Sequence, residues 1–138
     1  RLIDMGIEPF LVTSSVECVV AQRLVRRLCE CKQPVKLTKS MLADNGFHDS
    51  RGVSVYEPGA CVRCAQTGYR GRIGLYEVMI MTDALRRLIL SGASHDELRA
   101  EARAQGMRTL HEAGFAKVTE GVTSIAELLR VLGTTAAA

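Results

Sequence analysis

The first strong pattern of apolar and polar positions lies between residues 14 and 28. Val16, Val19, Val20, Leu24, Val25 and Leu28 recur at three- and four-residue spacings, which is the stripe of one helix face. Ser14-Ser15-Val16-Glu17 just before them matches a capping box, with Ser14 as the cap and Glu17 three positions on. The spacing predicts an amphipathic helix that ends at the first cysteine pair. Arg23, Arg26 and Arg27 lie mostly off its apolar stripe, in the last turns.

Residues 29–81 change character. Pro34, Asp44-Asn45-Gly46, Arg51-Gly52, Pro58-Gly59 and then Gly68, Gly71 and Gly74 punctuate short segments. Thr38 is placed to cap a brief helix over 38–43. Val53-Ser54-Val55-Tyr56 alternates as a short strand does, and 72–81 is a second strand candidate. Ser54-Val55-Tyr56-Glu57 also spells a capping box, but Pro58 follows at once and the match is chance.

From Thr82 onward the pattern is helical. Thr82 caps a helix carrying Leu85, Leu88 and Ile89 that stops near Gly92, and Ser94-His95-Asp96-Glu97 opens a second, closed by Gly106. A third spans about 109–120 and stops at Gly121. Ser124-Ile125-Ala126-Glu127 opens the last, with Ile125, Leu128, Leu129 and Leu132 facing inward and Gly133 behind it. Four short helices with short joints predict a small bundle over 82–133, with 134–138 as a frayed tail. The fold class expected is mainly α with a small β and loop segment, α+β.

Composition changes this picture little. With 47% hydrophobic residues in 138, the chain can bury a core, and with no Trp, three Tyr and three Phe that core is aliphatic. The net charge of +3 is too small to argue for nucleic acid. Its distribution is more informative: Arg23, Arg26, Arg27, Lys32, Lys36 and Lys39 stand against the single acid Glu30. That run either faces phosphate, acidic lipid or an acidic partner, or is a solvated helix end where cations are favoured. No stretch approaches the length of a membrane span. The opening residues carry no signal-peptide pattern, and a chain starting in mid-pattern at Arg1 is expected to be a fragment.

The candidate chemistry lies in the cysteines. Cys29-Glu30-Cys31 and Cys61-Val62-Arg63-Cys64 are separated by the 29 residues 32–60. Two close pairs brought together supply four thiolates, a donor set for tetrahedral zinc. Gly59 and Gly68 flank the second pair and give its backbone room to turn. The C-x-C pair is tighter than the usual two-to-four-residue gap and demands a sharper backbone. Two other readings stay open: reduced thiols packed as small hydrophobes, and a redox pair at Cys61 and Cys64. His48 is either a substitute for one sulfur or an exposed loop residue. Cys18 is expected to pack. If zinc binds, four protein ligands leave no open position, so its role is structural. Five cysteines used this way suit a reducing, cytoplasmic compartment. There is no G-x-x-x-x-G-K-[ST] in the chain, and no Ser/His/Asp or paired-carboxylate spacing around His95 or His111.

Four stretches together resemble the bacterial type II secretion and type IV pilus assembly ATPases. They are residues 1–12, RLIDMGIEPFLV; residues 22–29, QRLVRRLC; the run Cys61-x-x-Cys64-x-x-Thr67-Gly68-Tyr69-Arg70-Gly71-Arg72-x-Gly74-Leu75-Tyr76-Glu77; and Gly106-Met107-Arg108-Thr109-Leu110 with Gly121-Val122-Thr123-Ser124. The third is the most specific. The first cysteine pair departs from the family's usual C-x-x-C by one residue.

The resemblance implies a division of the chain. Residues 1–28 end a RecA-like ATPase core and are made to pack on the rest of it, 29–81 form the zinc-binding tetracysteine segment, and 82–133 form the helical bundle. It implies structural zinc on Cys29, Cys31, Cys61 and Cys64, with ATP and Mg bound only by other parts of the parent protein and no catalytic residue in this segment. It implies a homohexamer on the cytoplasmic face of the inner membrane. Its expected partners are identical subunits, an inner-membrane platform and cytoplasmic adaptor proteins, with no nucleic acid. An independent zinc-knuckle binding module, for nucleic acid, is the alternative.

Overall fold

A computed structural model of the chain describes residues 1–36, 43 and 54–133. Among these the order is α1 (Pro9–Ser15), β1 (Cys18–Leu28), β2 (Gln33–Lys36), β3 (Ser54–Glu57), a 3-10 turn (Val62–Cys64) and β4 (Tyr69–Ile80). Four helices follow: α2 (Asp83–Leu90), α3 (His95–Ala104), α4 (Leu110–Thr119) and α5 (Ile125–Leu132). β1 pairs with β4, and β2 pairs with β3. The fold is α+β.

The largest correction is over the predicted helix, where the strand β1, Cys18–Leu28, stands in its place. Ser14 is not a cap. It lies in the last turn of α1, which Pro9 starts, and its hydroxyl donates to the Leu11 carbonyl at 3.2 Å. The backbone then turns extended at Val16. The physical reason is in the side chains themselves: four of the six apolar positions are Val, whose branched Cβ suits a pleated strand. Pairing with β4 decides the outcome. Of the presumed stripe in β1 only Val25 is fully buried, while Val19, Val20 and Leu24 are exposed. Cys18, at the start of this strand, is likewise exposed rather than packed.

The other elements follow their local signals. The strand expected at 53–56 is β3, which pairs antiparallel with β2 in the register Gln33↔Glu57, Pro34↔Tyr56, Val35↔Val55 and Lys36↔Ser54. The candidate at 72–81 is the body of β4. Thr82 caps α2 by accepting from the Leu85 N–H, and Ser94 and Glu97 close a full capping box on α3. Gly92, Gly106, Gly121 and Gly133 all take positive φ at the helix ends. The brief helix expected over 38–43 lies outside the described residues except for Ala43.

The chain forms two compact units. The first comprises Arg1–Ala21 and Glu77–Thr109. Its core is Met81, Leu85, Ile89 and Ala102, with Val16, Met79, Leu98 and Met107 packed around them. The second comprises Gln22–Tyr76 and Leu110–Ala138, and its core is Val25, Val55, Leu75, Val118 and Leu128. Both cores are aliphatic, as the composition requires. Helices α2 and α3 pack together in the first unit, and α4 and α5 in the second.

Candidate metal centre

The second unit brings Cys29, Cys31, Cys61 and Cys64 together. The first pair sits in a four-residue turn between β1 and β2, closed by the Lys32 N–H donating to the Cys29 carbonyl at 3.0 Å. Such a turn lets positions one and three present their side chains to the same side, so a C-x-C pair converges without a longer loop. The second pair brackets the 3-10 turn. There the Cys64 and Gln66 N–H groups both donate to the Cys61 carbonyl, at 3.3 and 3.0 Å. Ala65 and Gln66 follow with φ of 48° and 65°, reversing the chain under the sulfurs.

The two turns are fixed against each other by backbone. The Cys29 N–H donates to the Gly68 carbonyl at 2.9 Å, and the Gly68 N–H donates to Cys64 Sγ at 3.2 Å. Gly59 and Gly68 are needed for close approach as much as for turning. A Cβ on Gly59 would collide with the Cys31 carbonyl, and one on Gly68, at φ +75°, would collide with Pro58.

The donor set fits a metal. The four sulfurs lie within 4.8 Å of one another. Cys29–Cys61 is 3.8 Å, Cys31–Cys64 is 3.9 Å and Cys61–Cys64 is 3.7 Å. A tetrahedron with Zn–S bonds of about 2.3 Å has sulfur–sulfur edges of about 3.8 Å. Cys29 and Cys64 are buried and Cys31 and Cys61 half-buried, and all four are free thiols.

Their acidities are split. Burial pushes Cys31 up to about 12, helped by hydrogen bonds with the other three thiols. For Cys64 burial also acts upward, but hydrogen bonds with the Cys61 backbone, the Gly68 N–H and the neighbouring thiols outweigh it and hold the thiol at about 6. A divalent cation lets all its thiol ligands ionise together.

Other residues singled out in the sequence stand apart. His48 lies outside the described residues. His95 opens α3 in the first unit, and the His111 Nε2 lies 3.4 Å from the Gly133 carbonyl oxygen. The basic run is partly committed. Arg26 binds Glu127 and lies 4.1 Å from the Tyr69 ring centroid. Lys32 donates to the Gly121 carbonyl and sits 4.4 Å from the ring of Tyr56.

Glu127 itself was hidden in the sequence. The Ser124-x-x-Glu127 spacing suggests a capping box, and Ser124 Oγ does accept the Glu127 N–H at 3.1 Å. The carboxylate, however, does not return to Ser124. It turns inward to accept from the Arg26 N–H and guanidinium and from the Arg130 guanidinium, at 2.7 to 2.9 Å.

Comparison with known proteins gives this geometry a context. Residues 1–130 match the family model described as "Type II/IV secretion system protein". The chain belongs to that family. It is 45% identical to the type IV pilus assembly ATPase PilB of Myxococcus xanthus over 140 residues, covering 99% of this chain and 24% of that protein. It is 43% identical to type II secretion system protein E of Pseudomonas aeruginosa, covering 95% of this chain and 26% of the relative. With the type II secretion system ATPase E of Vibrio cholerae the identity is 40%, over 95% of the chain and 26% of the relative. The chain thus spans only a fraction of the length of the curated relatives it matches. Among the described residues, no helix is long and apolar enough to cross a membrane.

Proposed function

We propose that this chain is the metal-centred structural and coupling region of a secretion or pilus-assembly ATPase. The observation that carries the reading is the four-thiol cluster, with sulfur spacings at the edge length of a zinc tetrahedron, in a chain of the type II/IV secretion family. Cys29, Cys31, Cys61 and Cys64 would hold zinc. Bound there, the metal supplies a fixed cross-link with no open coordination position, so it organises and does not catalyse. The residues around it do the rest: Gly68 orients the Cys64 sulfur, and the Cys29-to-Gly68 backbone bond aligns the two turns.

The ATP chemistry belongs to other parts of the parent, since this sequence has no phosphate-binding loop. Relatives named as ATPases are about four times longer than the matched segment, by the 24% share above. The parent is proposed to work as a homohexamer at the cytoplasmic face of the inner membrane. Its neighbours there would be identical subunits, a membrane platform and adaptor proteins. Residues 1–28 are proposed to end a RecA-like core, and Met5 and Phe10, 72% and 69% exposed, support a further domain that covers the first of these residues, whereas Val25 already packs in the second unit's core. The commitment of Arg26 and Lys32 to internal partners speaks against a phosphate-binding role for those two residues of the basic run.

The test is to purify the chain without added metal and measure both its metal content and its ATP turnover. The expected result is about one zinc per chain and no ATP hydrolysis. A zinc ratio near zero, or hydrolysis by the chain alone, contradicts the reading.

A further inference from the structure

We infer that the loop joining α4 to α5, residues 121–124, is a positioning clamp that holds the Cys29/Cys31 turn in its metal-ready shape and so sets the affinity of the four-thiol site. The inference rests on the metal reading above and adds the part of the chain that tunes it.

A C-x-C turn has one residue fewer than a C-x-x-C turn with which to aim two sulfurs at one point. Unless something else holds its ends, ordering the turn must be drawn from the free energy of metal binding. Four successive loop residues supply that restraint. The Gly121 carbonyl accepts from Lys32 Nζ, one residue past Cys31. The Val122 carbonyl accepts the Leu28 N–H at 2.8 Å, one residue before Cys29. Thr123 Oγ1 donates to the Arg26 carbonyl at 2.8 Å, and Ser124 Oγ bonds to the Tyr69 hydroxyl at 2.6 Å, on the strand that leaves Cys64. Both ends of the tight turn and the exit of the second pair are therefore fixed to one short loop.

These bonds are not surface decoration. Thr123 and Ser124 are 0% and 1% exposed, and Lys32 is half-buried over the Tyr56 ring. Buried hydroxyl bonds of this kind resist exchange with water, so the turn stays ordered whether or not metal is present. Outer-shell residues that orient ligands change metal affinity by about 10- to 100-fold. The loop acts one step further out, and the lower end of that range applies.

The experiment uses the full 138-residue chain, with Thr123→Val to remove the hydroxyl at constant volume and Lys32→Met to remove the ammonium. Thr123→Ser is the conservative rescue. Zinc affinity is measured by competition with a chromophoric chelator, well below the melting temperature of each metal-free variant, and Co(II) absorption reports the thiolate count. The clamp predicts that Thr123→Val and Lys32→Met each bind zinc about tenfold more weakly, still with four thiolates, while Thr123→Ser binds as the parent does. Affinities within about twofold of the parent for both, even with lowered melting temperatures, would make the loop merely structural and overturn the clamp. Lys32→Met keeps the test decisive should Thr123→Val fail to fold, because Lys32 is only half-buried. A parent chain that binds neither zinc nor Co(II) overturns the metal reading and the clamp together, which separates the two failures.

Discussion

A carboxylate shut away from water survives only where charge and hydrogen bonds replace its hydration. Glu127 has both: its side chain is 0% exposed and it accepts from Arg26 and Arg130 on both oxygens. Burial alone would raise its pKa. The hydrogen bonds with Arg130 and Arg26 and the Arg26 charge win, and hold it at about 2 against an ordinary 4.5. Because the folded-state pKa lies below the unfolded one, the stabilisation is complete above about pH 5 and is lost as pH falls from 4.5 toward 2. Glu127→Gln is expected to destabilise the chain by about 2–3 kcal/mol at neutral pH, since both guanidinium groups keep partial access to water. Denaturant titration at pH 7 and at pH 3 checks this. The gap between parent and variant should narrow at the lower pH, and a gap that is constant with pH would contradict the account. Gly59 is the other decisive single position. Gly59→Ala would drive a methyl into the Cys31 carbonyl, and metal titration should show weakened or lost binding.

At the scale of elements, local signals worked where the chain's own backbone chemistry decides and failed where distant pairing does. The Thr82, Ser94 and Ser124 caps were readable because each hydroxyl bonds an N–H three residues away. Ser94→Ala should cost about 1 kcal/mol, measurable as a lowered melting temperature of the first unit. An unchanged stability would mean the cap is replaced by water. The apolar spacing of β1 satisfies a helix, while its partner strand β4 begins about 40 residues further along the sequence, beyond the reach of any local pattern. The four valines were the available clue. The cysteine pairs were legible as a donor set. Their convergence was not, because it depends on a backbone bond from Cys29 to Gly68 and on the 121–124 loop, both long-range. The inward turn of Glu127 is hidden for the same reason: Arg130 is three residues along, but the other partner, Arg26, is 101 residues away.

For the whole molecule, the two units have separate aliphatic cores, and the thiol cluster lies within the second. A structural metal contributes its binding free energy directly to the fold that holds it. Removing it with a chelator should therefore raise amide exchange through 54–76, in the second unit, and leave that of α2 and α3, in the first, unchanged. Uniform loosening of both units would argue against a local organising role. The claim on which the account stands is that Cys29, Cys31, Cys61 and Cys64 are ligands of one ion. X-ray absorption at the zinc edge, on protein purified without added metal, tests it most directly. The account predicts four sulfur scatterers at about 2.3 Å; a shell with fewer sulfurs and added nitrogen or oxygen, or no zinc signal at all, would contradict it.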